Sequence, residues 1–376
     1  MFDRSVTSVS HDGAPGDLAV VFDAKRRFVA IGLYDPLSPI RVRVLHHGAP
    51  ETIDDAWWAR HVEASIERRT ALAATGDTTG YRLVHGENDG FPGLVVDRYD
   101  DTLVAKAYTA AWLAHLPPIV AALRERCDPA RVVLRLGRTA AASAPDRDGT
   151  ALVGELPPTP VAFLERGLSF EADVVRGQKT GHFLDQRDNR VRVGRRSRGR
   201  RVLDVFACTG GFSVHAAAGG ATKVVSVDQS RHALDAARRN MARNADRTVV
   251  AACRHETVVG DAFAVLETLV ARRERFDVVV VDPPSFASRR ASVPAALRAY
   301  ERLAGLAVRL VEPGGTLVHA SCSSRVGADQ LEVVVRRAAR AAGRRLDELV
   351  RTGHPLDHPI GFPEGAYLKA VHATVT

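Results

Sequence analysis

The sequence predicts an α/β protein with a small N-terminal β domain, a central α/β domain and a C-terminal Rossmann-like domain. From about residue 165 onward, apolar strand-like runs alternate with amphipathic helical runs, which is typical of a doubly wound sheet. Before that point, short β-type runs and mixed segments are separated by turn residues. We place the three domains at residues 1–48, 49–160 and 161–376.

The first two domains contain short strands and two predicted helices. Residues 17–46 show β-type runs broken by DAKRR and DPLSP, which predict tight turns. Residues 52 to about 75 have the spacing of an amphipathic helix, and LPPIVAALRER is a second one. The strand-like run RVVLRL follows. The loop sequences APDRDGT and GELPPTP mark the end of the central domain.

The C-terminal domain supplies the strand–helix alternation. Its predicted strands are RVLDVFA (201–207), KVVSVD (223–228), FDVVVVD (276–282) and TLVHAS (316–321). The third is apolar throughout, as a central parallel strand buried on both faces should be. Between the strands, SRHALDAARRNMARN places Leu234, Ala237 and Met241 on one helical face, with Ser230 as the N-cap. VPAALRAYERLAGLAVRLV is a long amphipathic helix.

The composition is that of a soluble globular protein, with 45% hydrophobic and 26% charged residues. No stretch approaches the ~18–20 apolar residues of a membrane span, and MFDRSVTSVSHDG lacks the apolar core of a secretory leader. We therefore expect a cytoplasmic protein. Its cysteines, Cys127, Cys208, Cys253 and Cys322, form no C-x-x-C pair. No metal site is predicted, since HPLDH (354–358) lacks a third ligand.

The net charge of +8 is mostly due to arginine. Residues 187–201 hold eight arginines against one aspartate, and residues 336–345 hold five more arginines. The planar guanidinium suits phosphate oxygens, so a polyanion is one partner that this charge fits. A solvated arginine-rich surface in a protein from a GC-rich genome is the other explanation, and composition leaves both open.

Three predicted strand ends carry residues suited to a nucleoside ligand, because ligands of doubly wound sheets bind at the carboxyl ends of the strands. LDVFACTGGF provides Gly210 and Gly211 for a tight turn. Asp228 can accept both hydroxyls of a ribose, and Asp261 in VVGDAF can meet an adenine edge. The turn lacks the G-x-G-x-x-G spacing that seats the pyrophosphate of NAD, so S-adenosylmethionine fits better. The alternative is that these are only turn and cap residues.

The next two strand ends carry the candidate reactive groups. DPPSF (282–286) places Asp282 before two prolines, which stiffen the turn and remove two N–H donors. This corner is typical of methyltransferases that act on nucleobase nitrogens, and by itself it does not identify the methylated atom. Cys322 ends the following strand, so its thiol should lie beside Asp282. A cysteine at that position can also be an inert packing residue.

A thiol at this place suggests C5 of a pyrimidine as the acceptor. C5 is a poor nucleophile until a thiolate adds to C6 and turns the ring into an enamine. Cys322 would form that bond, and Asp282 would hydrogen-bond N3 and N4 of cytosine and supply the proton that makes C6 electrophilic. Cys208 lies in the cofactor turn, and Cys127 and Cys253 fall outside the strand ends, so these three are weaker candidates.

Taken together, these segments resemble the bacterial large-subunit ribosomal RNA methyltransferases that make 5-methylcytosine. The resemblance covers nearly the whole chain. The matching segments are LYDPLSPIRVRVL, YRLVHGENDGFPGLVVDRY, GELPP, GQKTGHFLDQRDNR, LDVFACTGGFSVHAAAGGATKVVSVDQS, FDVVVVDPPSF, SCSS and HPIGFPEGAYLKAV. The resemblance implies an N-terminal PUA domain, a central α/β domain and a class I methyltransferase domain with a mixed seven-stranded sheet.

The resemblance also implies roles for individual residues. It implies S-adenosylmethionine as the cofactor and Cys322 as the nucleophile. It also implies RNA as the partner, bound by the PUA domain and the basic surface. The implied cofactor contacts are Gln186, Arg187, Phe206, Thr209, Gly210, Asp228, Asp261 and Asp282.

The chain departs from the family pattern at two places. Ser285 stands where the family usually has a lysine after DPP. Relatives also begin earlier, with a basic stretch and HPW-(V/I)-F before a segment like DRSV, whereas this sequence opens at MFDRSV. Either the PUA-like domain has lost its first strand, or the start codon is assigned too late, so we expect the domain to be incomplete at its N-terminus in this sequence. A missing edge strand would expose unpaired backbone.

Three functions follow as hypotheses. The first is methylation of a cytosine at C5 through Cys322, on a base that is single-stranded or flipped out of its stack. The second keeps the cofactor but methylates a base nitrogen or another RNA, with Cys322 structural. The third is an RNA-binding assembly protein without chemistry. The sequence identifies neither the target nucleotide nor the oligomeric state, and a homodimer stays open.

Overall fold

The computed structural model describes residues 1–287 and 289–376. The described chain forms two compact units. Unit 1 consists of Met1–Gly167, Glu171–Leu184 and Leu356–Pro359, and unit 2 consists of Leu168–Phe170, Asp185–Pro355 and Ile360–Thr376. The division into three domains at residues 48 and 160 stays a prediction.

Unit 1 begins with a small antiparallel sheet in the order β1-β2-β3. Its strands are β1 (Leu18–Phe22), β2 (Phe28–Tyr34) and β3 (Val42–His47). The predicted turn at DAKRR joins β1 to β2. Asp23 closes it, because its carboxylate accepts the backbone N–H groups of Lys25 and Arg27 at 2.8 and 2.9 Å. The small N-terminal β domain is therefore confirmed.

The rest of unit 1 is built on a sheet in the order β4-β5-β6-β7-β8, in which β6 and β7 run parallel and the other neighbours antiparallel. The strands are β4 (Gly80–His85), β5 (Leu94–Tyr99), β6 (Thr102–Ala107), β7 (Arg131–Leu136) and β8 (Thr150–Val153). The helices are α1 (Asp55–Glu67), α2 (Thr70–Ala73), α3 (Leu116–Cys127) and α4 (Arg138–Ser143). Strand β9 (Val161–Glu165) follows in unit 1, and the residues of β10 (Leu168–Ala172) are divided between the two units.

The helix predicted over residues 52–75 is two helices, α1 and α2. Asp54 caps the first by accepting the backbone N–H of Trp57 at 2.8 Å. Between the two helices lies Arg69, which is 1% exposed. Its guanidinium donates to both carboxylate oxygens of Asp89, at 3.0 and 2.6 Å. The helical path breaks where this arginine turns inward to its partner, which the sequence pattern does not reveal.

Unit 2 is built on a mixed sheet of seven strands within the described residues, in the order β13-β12-β11-β14-β15-β17-β16. The strands are β11 (Arg201–Val205), β12 (Lys223–Asp228), β13 (Arg254–Val259), β14 (Phe276–Val281), β15 (Val311–Ser321), β16 (Leu346–Thr352) and β17 (Lys369–Val375). Strands β11 to β15 run parallel, and β17 is antiparallel to both β15 and β16. The predicted mixed seven-stranded sheet is confirmed.

Both faces of this sheet are buried, which explains the apolar sequence of β14. Val279 faces a core that also contains Leu303 and Val335. Val278 and Val280 point to the opposite face and are also fully buried. A strand buried on both faces cannot alternate apolar with polar residues.

The helices of unit 2 connect these strands. They are α5 (Arg187–Arg195), α6 (Gly211–Ala218), α7 (Arg231–Ala242), α8 (Thr248–Ala251), α9 (Ala262–Ala271), α10 (Val293–Leu310) and α11 (Ala328–Ala341). As predicted, Ser230 caps α7 by accepting the backbone N–H of Ala233 at 3.2 Å, and Leu234 and Ala237 are fully buried. Over residues 1–287 and 289–376, no helix combines the length and the hydropathy that crossing a bilayer requires.

The arginine-rich segment 187–201 is not one continuous basic surface. Its first part forms α5, in which Arg187 and Arg190 are 1% and 3% exposed. Buried residues recur every three or four positions along this helix, which defines an inward face. The two explanations of the basic segment, a polyanion partner and a solvated surface, therefore apply only to its exposed arginines. The sequence analysis did not identify this helix, because two of the residues on its inner face are arginines.

A chain of polar side chains, all buried except the half-buried His255, links three parallel strands of unit 2. Ser213 donates to Asp204 at 2.6 Å and lies 2.6 Å from the hydroxyl of Ser226, which in turn lies 2.8 Å from Nε2 of His255. Asp204 is fully buried, and within the described residues its Oδ1 has no hydrogen-bond partner. Burial raises the pKa of Asp204 to about 6, although the hydrogen bond from Ser213 opposes the shift.

The substitution Asp204→Asn tests this polar chain. The native state holds the Asp204 proton more tightly than the unfolded chain does, so this group stabilises the fold while protonated, and the stabilisation is lost as the pH rises through about 6. Asn cannot ionise. We expect the unfolding free energy of the variant, relative to wild type, to increase between pH 4 and pH 7 by on the order of 2 kcal/mol. Urea titrations at several pH values measure it.

The exposed Asp246 provides the control. Asp246→Asn removes one exposed carboxyl group and so controls for the change in net charge. A difference between Asp204→Asn and wild type that stays constant from pH 4 to pH 7 would contradict the raised pKa of Asp204.

Candidate active site

The turn that follows β11 is strained and closely packed. Phe206, Cys208 and Gly210 have φ values of 64°, 48° and 77°, in the left-handed region. A Cβ on Gly210 would lie 2.7 Å from the Cβ of Ala237 on α7, so this position accepts only glycine without movement. Strain of this kind clusters at ligand sites, where the surrounding structure imposes it. The predicted tight glycine turn is present.

Asp228, the last residue of β12, is held in a fixed orientation beside this turn. Its Oδ2 accepts the backbone N–H of Cys208 at 2.9 Å, and its Oδ1 accepts that of Ser230 at 2.9 Å. A carboxylate has about four acceptor sites, so two backbone donors leave capacity for the two hydroxyls of a ribose. The side-chain amide of Asn240 anchors the turn further by donating to the carbonyl of Thr209 at 2.9 Å.

Gln186 and Arg187 lie at the start of α5, and both side chains are buried, at 2% and 1% exposure. The Gln186 Oε1 accepts a hydrogen bond from Asn189 at 2.6 Å, whereas its Nε2, in the part of the chain that the structure describes, has no partner. A buried amide donor without an acceptor is costly unless a ligand satisfies it. Helix α5 contacts α6 where Arg190 approaches Gly211. A Cβ added to Gly211 would lie 2.7 Å from the Cδ of Arg190.

Asp261 follows β13 at the same edge of the sheet and serves as a helix cap. Its Oδ1 accepts the backbone N–H of Ala264 at 3.0 Å, which caps α9, and its side chain is exposed. The neighbouring Gly260 donates its N–H to the carbonyl of Asp228 at 3.0 Å. The structure thus places Asp261 near the end of β12, and its cofactor role stays a prediction.

Asp282 and Cys322 follow neighbouring parallel strands. In the register of β14 and β15, Val281 lies beside His319, and each strand ends within two residues of that pair. The Asp282 N–H donates to the carbonyl of Val205 at 3.3 Å, which ties the DPPSF corner to the end of β11, just before the strained turn. The Cys322 Sγ lies 3.9 Å from the carbonyl oxygen of Pro283. Cys322 is partly exposed, so its thiol is not enclosed by the core.

The remaining cysteines have environments that keep them protonated. Burial raises the pKa of both Cys208 and Cys253 to about 11, and it also raises the pKa of Cys127. A thiol with a raised pKa carries little of the nucleophilic thiolate at neutral pH. These three residues are therefore poor candidates for covalent chemistry, as the sequence indicates.

Two residues that sequence reasoning did not select also lie at this edge. Tyr300 of α10 is fully buried and its hydroxyl accepts a hydrogen bond from Ser321 at 2.9 Å. Lys369, the first residue of β17, pairs with Ser321 across the antiparallel ladder. The sequence signal that could have identified Lys369 is a single lysine within the apolar run YLKAV. Nothing in the sequence around Tyr300 distinguishes it from other core residues of the helix.

The turn, Asp228 and the unpaired amide of Gln186 fit a nucleoside cofactor without a pyrophosphate. The turn contains no G-x-G-x-x-G, and the acidic strand end can take a ribose. Among the described residues, no group of three or more His, Cys, Asp or Glu side chains is arranged to hold a metal ion. A mixed seven-stranded sheet with this site at its carboxyl edge defines a class I methyltransferase.

Comparison with known proteins gives the family. A profile for S-adenosylmethionine-dependent methyltransferases matches residues 134–371, and a profile for PUA-like domains matches residues 1–47. The chain belongs to the S-adenosylmethionine-dependent methyltransferase family, and S-adenosylmethionine is its cofactor. This confirms the resemblance that the sequence motifs indicate.

Relatives match over nearly the full chain. A ribosomal RNA large subunit methyltransferase of Deinococcus radiodurans is 49% identical, over 99% of this chain and 92% of its own length. A ribosomal RNA large subunit methyltransferase I of Shewanella amazonensis is 36% identical, over 100% of this chain and 94% of its own length. A solved methyltransferase complexed with SAH has the same fold, with a TM-score of 0.83 and 21% identity, over 100% of this chain and 94% of that one.

Gly210→Ala tests the cofactor turn. The added Cβ would overlap Ala237, so the turn must move away from its present position. We expect the affinity for S-adenosylmethionine to fall by about tenfold or more, measured by isothermal titration calorimetry on the full chain.

Gly199→Ala is the matched control. Gly199 also has a left-handed φ, of 71°, but no described heavy atom lies within 4 Å of an added Cβ, and it precedes β11 rather than following it. Both variants carry a backbone strain of about 1–2 kcal/mol. Only Gly210→Ala should lose cofactor affinity. Equal affinities in the two variants would show that the turn does not bind the cofactor.

Proposed function

We propose that this protein methylates C5 of a cytosine in large-subunit ribosomal RNA through a transient covalent bond between Cys322 and the base. The names of the relatives from Deinococcus radiodurans and Shewanella amazonensis support ribosomal RNA as the substrate. The PUA-like match and the net charge of +8 support RNA as well, because phosphate contacts by basic residues supply most non-specific affinity for nucleic acids.

One observation carries the choice of chemistry: the contact of the Cys322 Sγ with the carbonyl oxygen of Pro283, at 3.9 Å. Because Pro283 follows Asp282 directly, the thiol and the carboxyl group belong to one corner of the site. A cytosine whose N3 and N4 are bound by Asp282 would present C6 to a nucleophile from the same corner. A thiol is the group that pyrimidine C5 chemistry needs at that place.

In the proposed reaction, the Cys322 thiolate adds to C6, N3 takes a proton from a protonated Asp282, and the electrons of the C5–C6 double bond become available at C5. S-adenosylmethionine, when bound, would supply an electrophilic methyl group to C5 and would leave as a neutral thioether. A base then removes the C5 proton, the double bond forms again, Asp282 recovers its proton from N3, and the thiolate leaves. In total, the base gains one methyl group and one proton is released.

The cofactor contacts are part of the same proposal. Asp228 would bind the ribose, Gly210 and Thr209 would provide the closely approaching backbone, and Gln186 would donate its unpaired amide to the cofactor. The full proposed set is Gln186, Arg187, Phe206, Thr209, Gly210, Asp228, Asp261 and Asp282. The target base would have to be unstacked, because C6 is not accessible from either side within a helix.

Methylation of a base nitrogen is the second candidate, and the Asp-Pro-Pro corner favours it. An acidic group followed by two prolines can bind an amine that is methylated directly, which needs no thiol. Cys322 would then be a packing residue. The two candidates differ in the product, since one gives 5-methylcytosine and the other an N-methylated base.

Cys322→Ala tests the covalent route. We expect loss of methyl transfer to ribosomal RNA by at least about a thousandfold, because without the thiol C5 stays unreactive, with S-adenosylmethionine affinity retained within about twofold. Nucleosides from RNA treated with wild-type protein should contain new 5-methylcytosine by mass spectrometry.

The control is Cys253→Ala, which removes a buried thiol of the same unit that lies outside the proposed site. It should keep the activity of the wild type. Normal methylation by Cys322→Ala, or an N-methylated product from the wild type, would reject the covalent route and favour the second candidate.

A further inference from the structure

Lys369 is a buried lysine that bonds to the loop that carries Cys322. Its side chain is 6% exposed, although lysine is among the residues least often buried. The Lys369 Nζ donates to the carbonyl oxygen of Val326 at 2.6 Å and also to that of Ser323. Both acceptors lie in residues 322–326, which we call the nucleophile loop. The ammonium therefore fixes the backbone on the C-terminal side of the thiol.

This loop is also held from two other elements. The Ser323 hydroxyl donates to the carbonyl of Ala287 at 3.3 Å, and Ser321, just before the loop, donates to Tyr300 at 2.9 Å. Each of these bonds is between neutral groups. Lys369 is different, because it brings a full positive charge into the base of the loop.

A buried ammonium is costly, and here two backbone carbonyl oxygens and the charge of Cys322 offset part of that cost. Burial lowers the pKa of Lys369 to about 8, and the charge of Cys322 raises it in opposition. Two of its three N–H donors reach backbone carbonyls rather than a carboxylate. The interaction between two ionisable groups is mutual, so a cation that gains from a thiolate also stabilises that thiolate.

Among the described residues, the other titratable groups around Cys322 do not supply a buried positive charge. Burial raises the pKa of Tyr300, on α10, so its hydroxyl stays neutral, and Asp282, after β14, is an acid and brings no positive charge. Arg325 belongs to the nucleophile loop itself, and its side chain is exposed to water, which screens it. Among the described residues, Lys369 is thus the buried cation at this thiol.

We propose that Lys369 is a positioning residue for Cys322: its ammonium holds the nucleophile loop in place and favours the thiolate that attacks the base. The role of Lys369 in the reaction rests on the proposed covalent function. Its effect on the charge of the thiol can be tested without RNA. Lys369 touches neither the base nor the cofactor in this proposal.

The test is the pH dependence of Cys322 alkylation by iodoacetamide, followed by mass spectrometry of the tryptic peptide 310–325. Only the thiolate reacts, so the midpoint of the rate against pH reports the charge at the thiol. We expect Lys369→Met to move that midpoint upward by about one pH unit, which lowers the rate near neutral pH by about tenfold. Lys369→Arg, which keeps the charge, should restore most of the shift.

Two controls separate a charge effect from a loss of structure. Lys223→Met removes a lysine that pairs with Glu256 at 2.8 Å and lies at the start of β12, and it should leave the midpoint unchanged. Calorimetric binding of S-adenosylmethionine by Lys369→Met should remain within about twofold of wild type, which shows that the unit is folded. If Lys369 only braced the loop, its removal would lower methyl transfer equally at every pH and leave the alkylation midpoint in place.

The outcomes distinguish this inference from the proposed function. An unchanged midpoint in Lys369→Met, together with an inactive Cys322→Ala, would overturn the role of Lys369 and leave the covalent mechanism intact. A shifted midpoint together with a fully active Cys322→Ala would support the coupling of Lys369 to the thiol and overturn the covalent mechanism.

Discussion

The parallel alignment of β11, β12, β14 and β15 is the constraint on which the whole site depends. Because these strands run in one direction, their last residues reach one edge of the sheet, although Asp228 and Cys322 are far apart in the chain. The register matters as much as the direction. Side chains alternate between faces along a strand, so a slip of β15 by one residue against β14 would turn Cys322 away from the corner at Pro283.

The antiparallel strand β17 adds a group that the parallel strands cannot supply. It begins at the edge where β15 ends, so its first residue, Lys369, lies beside Ser321 and can reach the loop after it. Environment then distinguishes the thiols of this unit. Burial raises the pKa of Cys208 and of Cys253 to about 11, whereas the partly exposed Cys322 is next to a loop that Lys369 bonds. In the proposed mechanism, the sheet thus places one cysteine at the substrate, and Lys369 acts on the charge of its thiol.

The sequence predicts the features that are set by local pattern. The strand–helix alternation, the glycine turn at Gly210 and the placement of Cys322 after a buried strand are all readable from periodicity and turn residues. Features that depend on contacts between residues distant in the chain cannot be predicted from these local patterns. The break in the helix before residue 75 depends on the ion pair of Arg69 with Asp89. The burial of Arg187 depends on the packing of α5, whose sequence is rich in charged residues. Lys369 was overlooked for the same reason, since its partners lie more than 40 residues away.

The most direct test of the covalent mechanism uses RNA in which 5-fluorocytidine replaces cytidine. Fluorine at C5 cannot be removed as a proton, so an adduct formed by the thiolate would persist after methyl transfer. The account predicts a protein–RNA adduct that requires S-adenosylmethionine, maps by mass spectrometry to the tryptic peptide 310–325, and is absent from the Cys322→Ala variant. An adduct on a different cysteine, or methylated RNA without any adduct, would contradict it.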